Sequence, residues 1–355
     1  MPRLKRSDPS TPGIARRKRG KGFEYVDPMG GRLADPEVLQ RIKDLVIPPA
    51  WADVWVCPDP NGHLQAVGMD AAGRRQYLYH PAWRVRRDAE KFDRMIDFAR
   101  ALPRLRRTAA HHLEQDGLRR ERVLACAARL LDRGFFRVGS EAYAEQNGSV
   151  GLATIRKGHV TCTGDALTFD YPAKGGKQHL QSVVDPAVCE VVSALKRRRG
   201  GGEDLLAYRN GSRWVDVRSE EINAYIKEHT GGDFSAKDFR TWHGTVLAAI
   251  SLAVAAPAAA SPTGRKRAMS WAVKQVSHYL GNTPAVCRAS YIDPRVFDRY
   301  RAGVTICGVI GELGADLEEH PAMQAAIEEA VIDLIAGEES PALEQVAASP
   351  LEHVA

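Results

Sequence analysis

The sequence predicts an α+β protein: a small β-rich domain followed by a larger, mainly helical one. Three observations predict it. Residues from Phe23 to about Tyr79 fall into short runs punctuated by turn residues. From Phe92 onward, apolar residues recur at helical spacing. Between Gly151 and Val184 strand-like alternation returns, which sets a small sheet inside the helical part. With 355 residues, 44% hydrophobic and 26% charged, the chain can build a core in each of two domains.

In order, residues 1–22 are basic, polar and Pro/Gly-containing, densest at Arg16–Arg19, and predict a flexible basic arm. Residues 23–86 predict the β-rich domain. Its one helix covers Pro36–Leu45, where Val38, Ile42 and Leu45 share a face. Its strands include 54–57, 63–68 and 74–80, separated by the turns at 58–62 and 70–73. The last strand carries Arg74, Arg75, Gln76, Tyr77 and Tyr79; arginine and glutamine can read base edges, and tyrosines pack along sugar and phosphate. A solvated basic face is the plain alternative.

The basic connection Arg84–Asp88 predicts a boundary, and residues 87–338 the larger domain. Its first helix runs to Pro103, and its second covers Leu118–Leu131 with Gly134 as the stop. Arg137 then sits on a tight glycine-flanked connection, and Ser140 caps the next helix. Strands follow at 152–155, 159–163, 166–171 and 178–184; the turn before the last presents Lys174 and Lys177 beside Gly175-Gly176. Helices are predicted over 186–195, 220–230, 235–256, 270–280 and 303–336, with 262–266 a basic loop. Lys237 and Arg240, at i and i+3 near a helix start, oppose the helix dipole and read as anion ligands. The run Leu280–Pro294 ends an apolar patch, breaks at Gly-Asn-Thr-Pro and leads to Tyr291. Residues 339–355 predict a disordered tail.

Lys and Arg number 50 against 44 Asp and Glu, a net charge of +6, with a basic front and an acidic end. That asymmetry favours a polyanion partner, most simply nucleic acid. The six cysteines are scattered, with no Cys-x-x-Cys pair, which predicts reduced thiols and neither a metal site nor a disulfide framework. The apolar stretch 247–260 is shorter than the roughly 20 residues a bilayer crossing needs. The expectation is a cytoplasmic protein without a membrane anchor.

Taken together, the segments FFRVGSEAYAEQNGSVGLATIRKGHV, YPAKGGKQH, KDFRTWHGT and LGNTPAVCRASYIDP resemble the type IB DNA topoisomerases of the small bacterial and poxvirus-like group, over roughly Phe23 to Ala302. The resemblance implies a two-lobed clamp closing on double-stranded DNA, a lysine-bearing hairpin, a monomer acting at the nucleoid, and no cofactor or required metal. It sets Tyr291 at the nucleophile position, Arg137 and Arg240 at the two catalytic arginines, and Lys174 at the hairpin lysine. Asn282 occupies a position that is often histidine in the family, and Gln76, Tyr77 and Tyr79 match a DNA-contacting strand. Lys177, Lys237, Arg74 and Arg75 are expected to add DNA contacts.

The residue types suit that chemistry. Attack of a phenol on a phosphodiester builds negative charge on phosphorus-bound oxygens, which two planar guanidinium forks can clamp. The leaving 5′-hydroxyl needs a proton, for which Lys174 is the first candidate, with Arg137 and Lys237 as further donors. Asn282 can donate a hydrogen bond but carries no charge. A tyrosine recombinase or integrase shares the Arg–Lys–Arg–Tyr order, but such enzymes usually carry histidine where this chain has Lys237, and a helical front domain. A non-enzymatic DNA-binding protein with a packed Tyr291 is the third reading.

Overall fold

The computed structural model describes residues 2–259, 261–313 and 321–345. The chain divides into two compact units, Met1–Phe92 and Asp93–Ala355.

The first unit is a five-stranded antiparallel sheet with one short helix. Its elements are β1 (Ile14–Arg19), β2 (Gly22–Val26), α1 (Pro36–Asp44), β3 (Ala52–Val56), β4 (Leu64–Met69) and β5 (Arg75–Tyr79), with strand order β2-β1-β3-β4-β5. Asp35 caps α1 by accepting from the Glu37 and Val38 amides, and Pro36 takes the first helical position. Ile42 from that helix packs on Ile14, Val54, Val56 and Ala66 as the core. Residues 14–19 are therefore not part of a flexible arm. Ile14 is buried, and Arg16 lies on the core side, donating to the carbonyls of Pro48 (3.1 Å) and Trp51 (2.6 Å) with its guanidinium over the Phe23 ring. A strand of mostly cations is held because one of them has backbone acceptors inside the fold.

α2 (Pro81–Leu113) is continuous through both the expected 84–88 connection and Pro103. The division between the units falls within it, at Phe92/Asp93. Proline removes one amide, and the buried Phe98, Leu102 and Leu105 on either side hold the helix together.

The second unit continues with α3 (Arg120–Gly134), α4 (Glu141–Asn147), β6 (Val160–Thr163), β7 (Ala166–Pro172), β8 (Gln178–Val184), α5 (Pro186–Arg197), β9 (Ala207–Asn210) and β10 (Arg213–Asp216). Then come α6 (Ser219–Thr230), α7 (Ala236–Ala255), α8 (Pro262–Leu280), α9 (Pro284–Ser290), α10 (Pro294–Arg301), β11 (Val304–Thr305), α11 (Cys307–Leu313), α12 (Pro321–Ala336) and β12 (Glu344–Gln345). Its sheets are small and antiparallel: β6-β7-β8, β9-β10 and β11-β12.

Several expectations are corrected. Leu152–Thr154 is a 3-10 turn, not a strand. Pro262 opens α8 instead of lying in a loop, since proline's fixed φ suits the first helical position and Ser261 caps it. The described residues of 303–336 form a short strand and two helices, and Glu344–Gln345 pairs with that strand inside the expected tail; residues 314–320 and 346–355 lie outside the described ones. The apolar stretch begins well before Leu247: Ala236–Ala258 has the length and composition of a membrane span, with 67% of its apolar window buried in the unit. Phe239, Trp242, Ala248 and Leu252 make it the core helix.

Candidate active site

α3 does not stop in the way a helix-ending glycine would predict. Gly134 is its last helical residue and Phe135 takes the left-handed conformation, φ 51° and ψ 18°. A Cβ at Gly134 would lie 2.2 Å from the Phe136 ring, so the glycine provides room for Phe136, and the unusual backbone falls on Phe135. The turn aims the Phe135 carbonyl at Arg240, which donates to it through Nη1.

Arg137 follows on a connection pinned by backbone. The amides of Leu152 and Ala153 donate to the carbonyls of Arg137 (2.8 Å) and Val138 (2.7 Å). Gly139, at φ +73°, touches Gly151 so closely that a Cβ on Gly139 would lie 2.7 Å from the Gly151 Cα. This contact explains Gly139 and Gly151 of the long motif around the arginine: each lets the other backbone approach.

Arg240 lies in the second turn of α7 and is only 4% exposed. Both arginines are held by the end of α8. Gly281 closes that helix at φ 59°, leaving the last carbonyls pointing outward. Arg137 Nη2 donates to Leu280 O (3.2 Å), Gly281 O (3.2 Å) and Asn282 Oδ1 (2.7 Å). Arg240 Nη2 donates to Leu280 O (2.7 Å) and the same Asn282 Oδ1 (2.7 Å). A helix C-terminus suits cations, but every one of these acceptors is formally neutral. Burial, then the charge of Arg137, pull the Arg240 pKa down to about 10, while Tyr291 and Tyr171 pull it back up.

Tyr291 caps the C-terminal end of α9, and its amide donates to Cys287 O at 2.9 Å. Thr283 caps the start of that helix and Pro284 opens it, which accounts for the Asn-Thr-Pro lead-in. Gly244 of α7 lies against the Tyr291 carbonyl: a Cβ there would come within 2.6 Å. Behind the tyrosine, buried Asp293 receives an ion pair from Arg295 (2.7 Å), and its amide donates to Thr245 Oγ1 (3.1 Å). The backbone is thus fixed on α7, and the ring lies beside Arg240, whose Cζ is 5.3 Å from the ring centre.

Arg137, Arg240, Asn282 and Tyr291 therefore come together from four segments. Lys174 sits at the turn joining β7 and β8, where the Ala173 amide donates to Lys177 O (2.8 Å) and Gly175 and Gly176 take φ of +81° and +71°. Lys174 and Lys177 line a cleft with Arg133, Arg137, His179 and His278. Lys237 is exposed, so it does not share the buried setting of Arg240 three residues on. On β5 the pattern splits. Arg75, Tyr77 and Tyr79 are on one face, with the tyrosine rings stacked at 6.2 Å, while Gln76 and Leu78 are on the other. Gln76 and Arg74 are tied to Asp70 at 2.9 and 3.0 Å, so they do not present themselves with the tyrosines.

The sequence reading missed Tyr171 and His179. Tyr171 is 3% exposed and its ring meets His179 edge-on at 5.4 Å. Burial raises the Tyr171 pKa against the pull of both arginines, and burial lowers that of His179, with Arg137 and Arg240 adding to the effect. Burial also lifts the Cys287 thiol to about 11, leaving it neutral beside the arginines. Only the alternation of β7 and β8 signalled any of these. Among the described residues no group of three His, Cys, Asp or Glu is arranged to hold a metal.

Residues 80–306 match the model of the eukaryotic DNA topoisomerase I catalytic core, and residues 22–70 that of the bacterial DNA topoisomerase IB N-terminal domain. The chain is 30% identical over 297 residues to DNA topoisomerase 1B of Acanthamoeba polyphaga mimivirus, covering 81% of this chain and 88% of the relative. It is 21% identical over 288 residues to DNA topoisomerase I of monkeypox virus, covering 79% and 88%. To DNA topoisomerase 1 alpha of Arabidopsis thaliana it is 24% identical over 161 residues, 45% of this chain and 16% of that one. The recombinase reading finds no support in these matches. The chain belongs to the type IB DNA topoisomerases.

Proposed function

We propose that the chain relaxes positive and negative supercoils by breaking one strand of duplex DNA through Tyr291, letting the duplex rotate, and resealing it without ATP or a required metal. The observation that carries the residue assignment is the neutral-oxygen cage around Arg137 and Arg240 next to Tyr291. Two guanidinium charges held by dipoles remain available to a phosphate.

In the forward step the Tyr291 phenolic oxygen, giving its proton to solvent, bonds to phosphorus, and the P–O5′ bond breaks. The 5′-oxygen leaves with a proton from Lys174, for which the hairpin and shared cleft are the support. Arg137 and Arg240 donate to the oxygens whose charge grows, and the Asn282 amide nitrogen can add a neutral donor. The 3′-phosphotyrosyl bond keeps the energy of the broken linkage, so the 5′-hydroxyl, returning its proton to Lys174 as the tyrosine oxygen leaves and is reprotonated from solvent, reverses the step without ATP. One chain supplies the set, which favours a monomer. On this reading Arg75, Tyr77 and Tyr79 of the first unit and Lys177 and Lys237 of the second are DNA contacts.

The test is plasmid relaxation in EDTA without ATP, followed by denaturant trapping. Supercoils of both signs should disappear, and the trapped protein should sit on a DNA 3′ end. Full relaxation by Tyr291→Phe would sink the assignment.

A further inference from the structure

The sheet of the first unit has one face on the core and one turned away from it. The register puts Leu78, Ala66, Val56 and Ile14 in line on the core face. It puts Tyr77, Val67, Trp55 and Ala15 in line on the other. By alternation Arg75 and Tyr79 share that outer face at one edge, and Arg17 and Arg19 share it near the opposite edge. Ala15, Arg17 and Arg19 are exposed.

The β1–β2 hairpin therefore sorts its cations. Arg16 is committed to the carbonyls of Pro48 and Trp51, and Lys18 is on the core side, opposite Phe23. Arg17 and Arg19 face outward, and Lys21 follows at the tip beside Gly20, whose φ of +56° makes the turn. The carboxylate facing them is Glu24, opposite Arg17 and 3.3 Å from Arg19, in an exposed pair that stabilises little. Three cations against one carboxylate on the paired hairpin leave an excess of positive charge.

We infer that this hairpin is a phosphate-gripping finger for duplex DNA, acting outside the bond-breaking step and extending the surface that starts at Arg75, Tyr77 and Tyr79. The inference rests on the topoisomerase reading above. Three interstrand spacings separate β1, which carries Arg17 and Arg19, from β5, roughly 14 Å, and duplex DNA offers one phosphate for about every 1.7 Å of axis. A duplex laid across the outer face meets cations at both edges. The guanidinium and ammonium groups of the finger suit phosphate oxygens, so the grip is independent of sequence.

The test is the salt dependence of binding of a linear duplex to the full chain. Each phosphate contact contributes a slope of about 0.9 in log K against log salt, so Arg17→Ala/Arg19→Ala/Lys21→Ala should flatten the slope by about 2.7. Lys18→Ala should leave it unchanged, and Arg17→Lys/Arg19→Lys should preserve it, which separates charge from folding. Single-turnover cleavage at saturating DNA should be the same in all of them. An unchanged slope in the triple variant, or an equal loss in Lys18→Ala, overturns the inference. A wild-type chain that binds DNA with the expected slope but relaxes nothing refutes the reading of the reaction and leaves the finger standing.

Discussion

Two arginines in the second unit are held in opposite ways. Arg106 of α2 makes paired hydrogen bonds to Asp132 of α3, both at 2.8 Å, and to Glu328 of α12 at 2.6 and 2.8 Å. Burial works against its charge, but Glu328 and Asp132 outweigh it and raise its pKa. Arg240 has a similar number of acceptors, all of them uncharged, and its pKa falls to about 10. Carboxylates neutralise a buried guanidinium and turn it into a joint between helices. Carbonyl and amide oxygens orient one without neutralising it, which costs stability and preserves charge for a substrate. The identity of the acceptors, and not depth of burial, separates Arg106 from Arg240.

The largest effect expected from breaking this contrast is in Arg106→Met. Two carboxylates with 6% and 9% of their side-chain surface exposed would lose the guanidinium they share, keeping only His243 beside Asp132 and Gln324 beside Glu328. Leaving buried charges unpaired costs about 3–5 kcal/mol. Urea unfolding should show that loss, while single-turnover cleavage by the folded protein stays within a few-fold of wild type. A cleavage defect without a stability defect would reverse the roles assigned to the two arginines.

Asn282→Asp converts the second cage into the first kind. A carboxylate 2.7 Å from both guanidinium groups would neutralise one charge and repel the phosphate. Cleavage should slow by about 10²–10³, the cost of a lost oxyanion donor, while the unfolding midpoint rises. Opposite signs for rate and stability are the signature; a variant both slower and less stable would count against the cage.

How much of this was legible follows from where the partners lie. Strands β3, β4 and β5 announced themselves by turn residues and alternation, but the β1–β2 hairpin did not: cations hid β1, whose anchor, Arg16, binds carbonyls more than thirty residues away. The motifs single out Tyr291, Arg137, Arg240 and Lys174, and the structure brings the tyrosine and the two arginines together around Asn282. The sequence shows Asn282 only as a donor to phosphate; that its oxygen also joins the two arginines depends on the fold bringing residues 137, 240 and 282 to one helix end. The Arg106 cage was invisible: its acceptors are 26 and 222 residues distant and belong to no motif. Gly134 was read as a helix stop when its work is to admit Phe136, a packing fact that no local pattern carries.

The mildest way to tell the cages apart is acid, since one contains carboxylates and the other none. Burial raises the Asp132 pKa, but His243 and Arg106 outweigh it and hold the group below the ordinary range. An unfolded aspartate takes up its proton near about 3.9. Below that value the unfolded chain binds a proton that folded Asp132 refuses, so the stability from this group, complete above it, is lost as pH falls toward the folded value. Urea midpoints followed from about pH 6 to pH 2.5 should therefore fall less steeply in Asp132→Asn, which starts lower at neutral pH. His179, held neutral by burial and by both arginines, adds a proton uptake of its own that the two proteins share and that cancels in the comparison. Asn282→Asp should do the reverse and steepen the acid limb, because it gives the Arg240 cage the titrating group it lacks. An acid limb unchanged by Asn282→Asp would mean that the new carboxylate is not between the two guanidinium groups, and the contrast between neutral and charged cages would fail at the site that defines it.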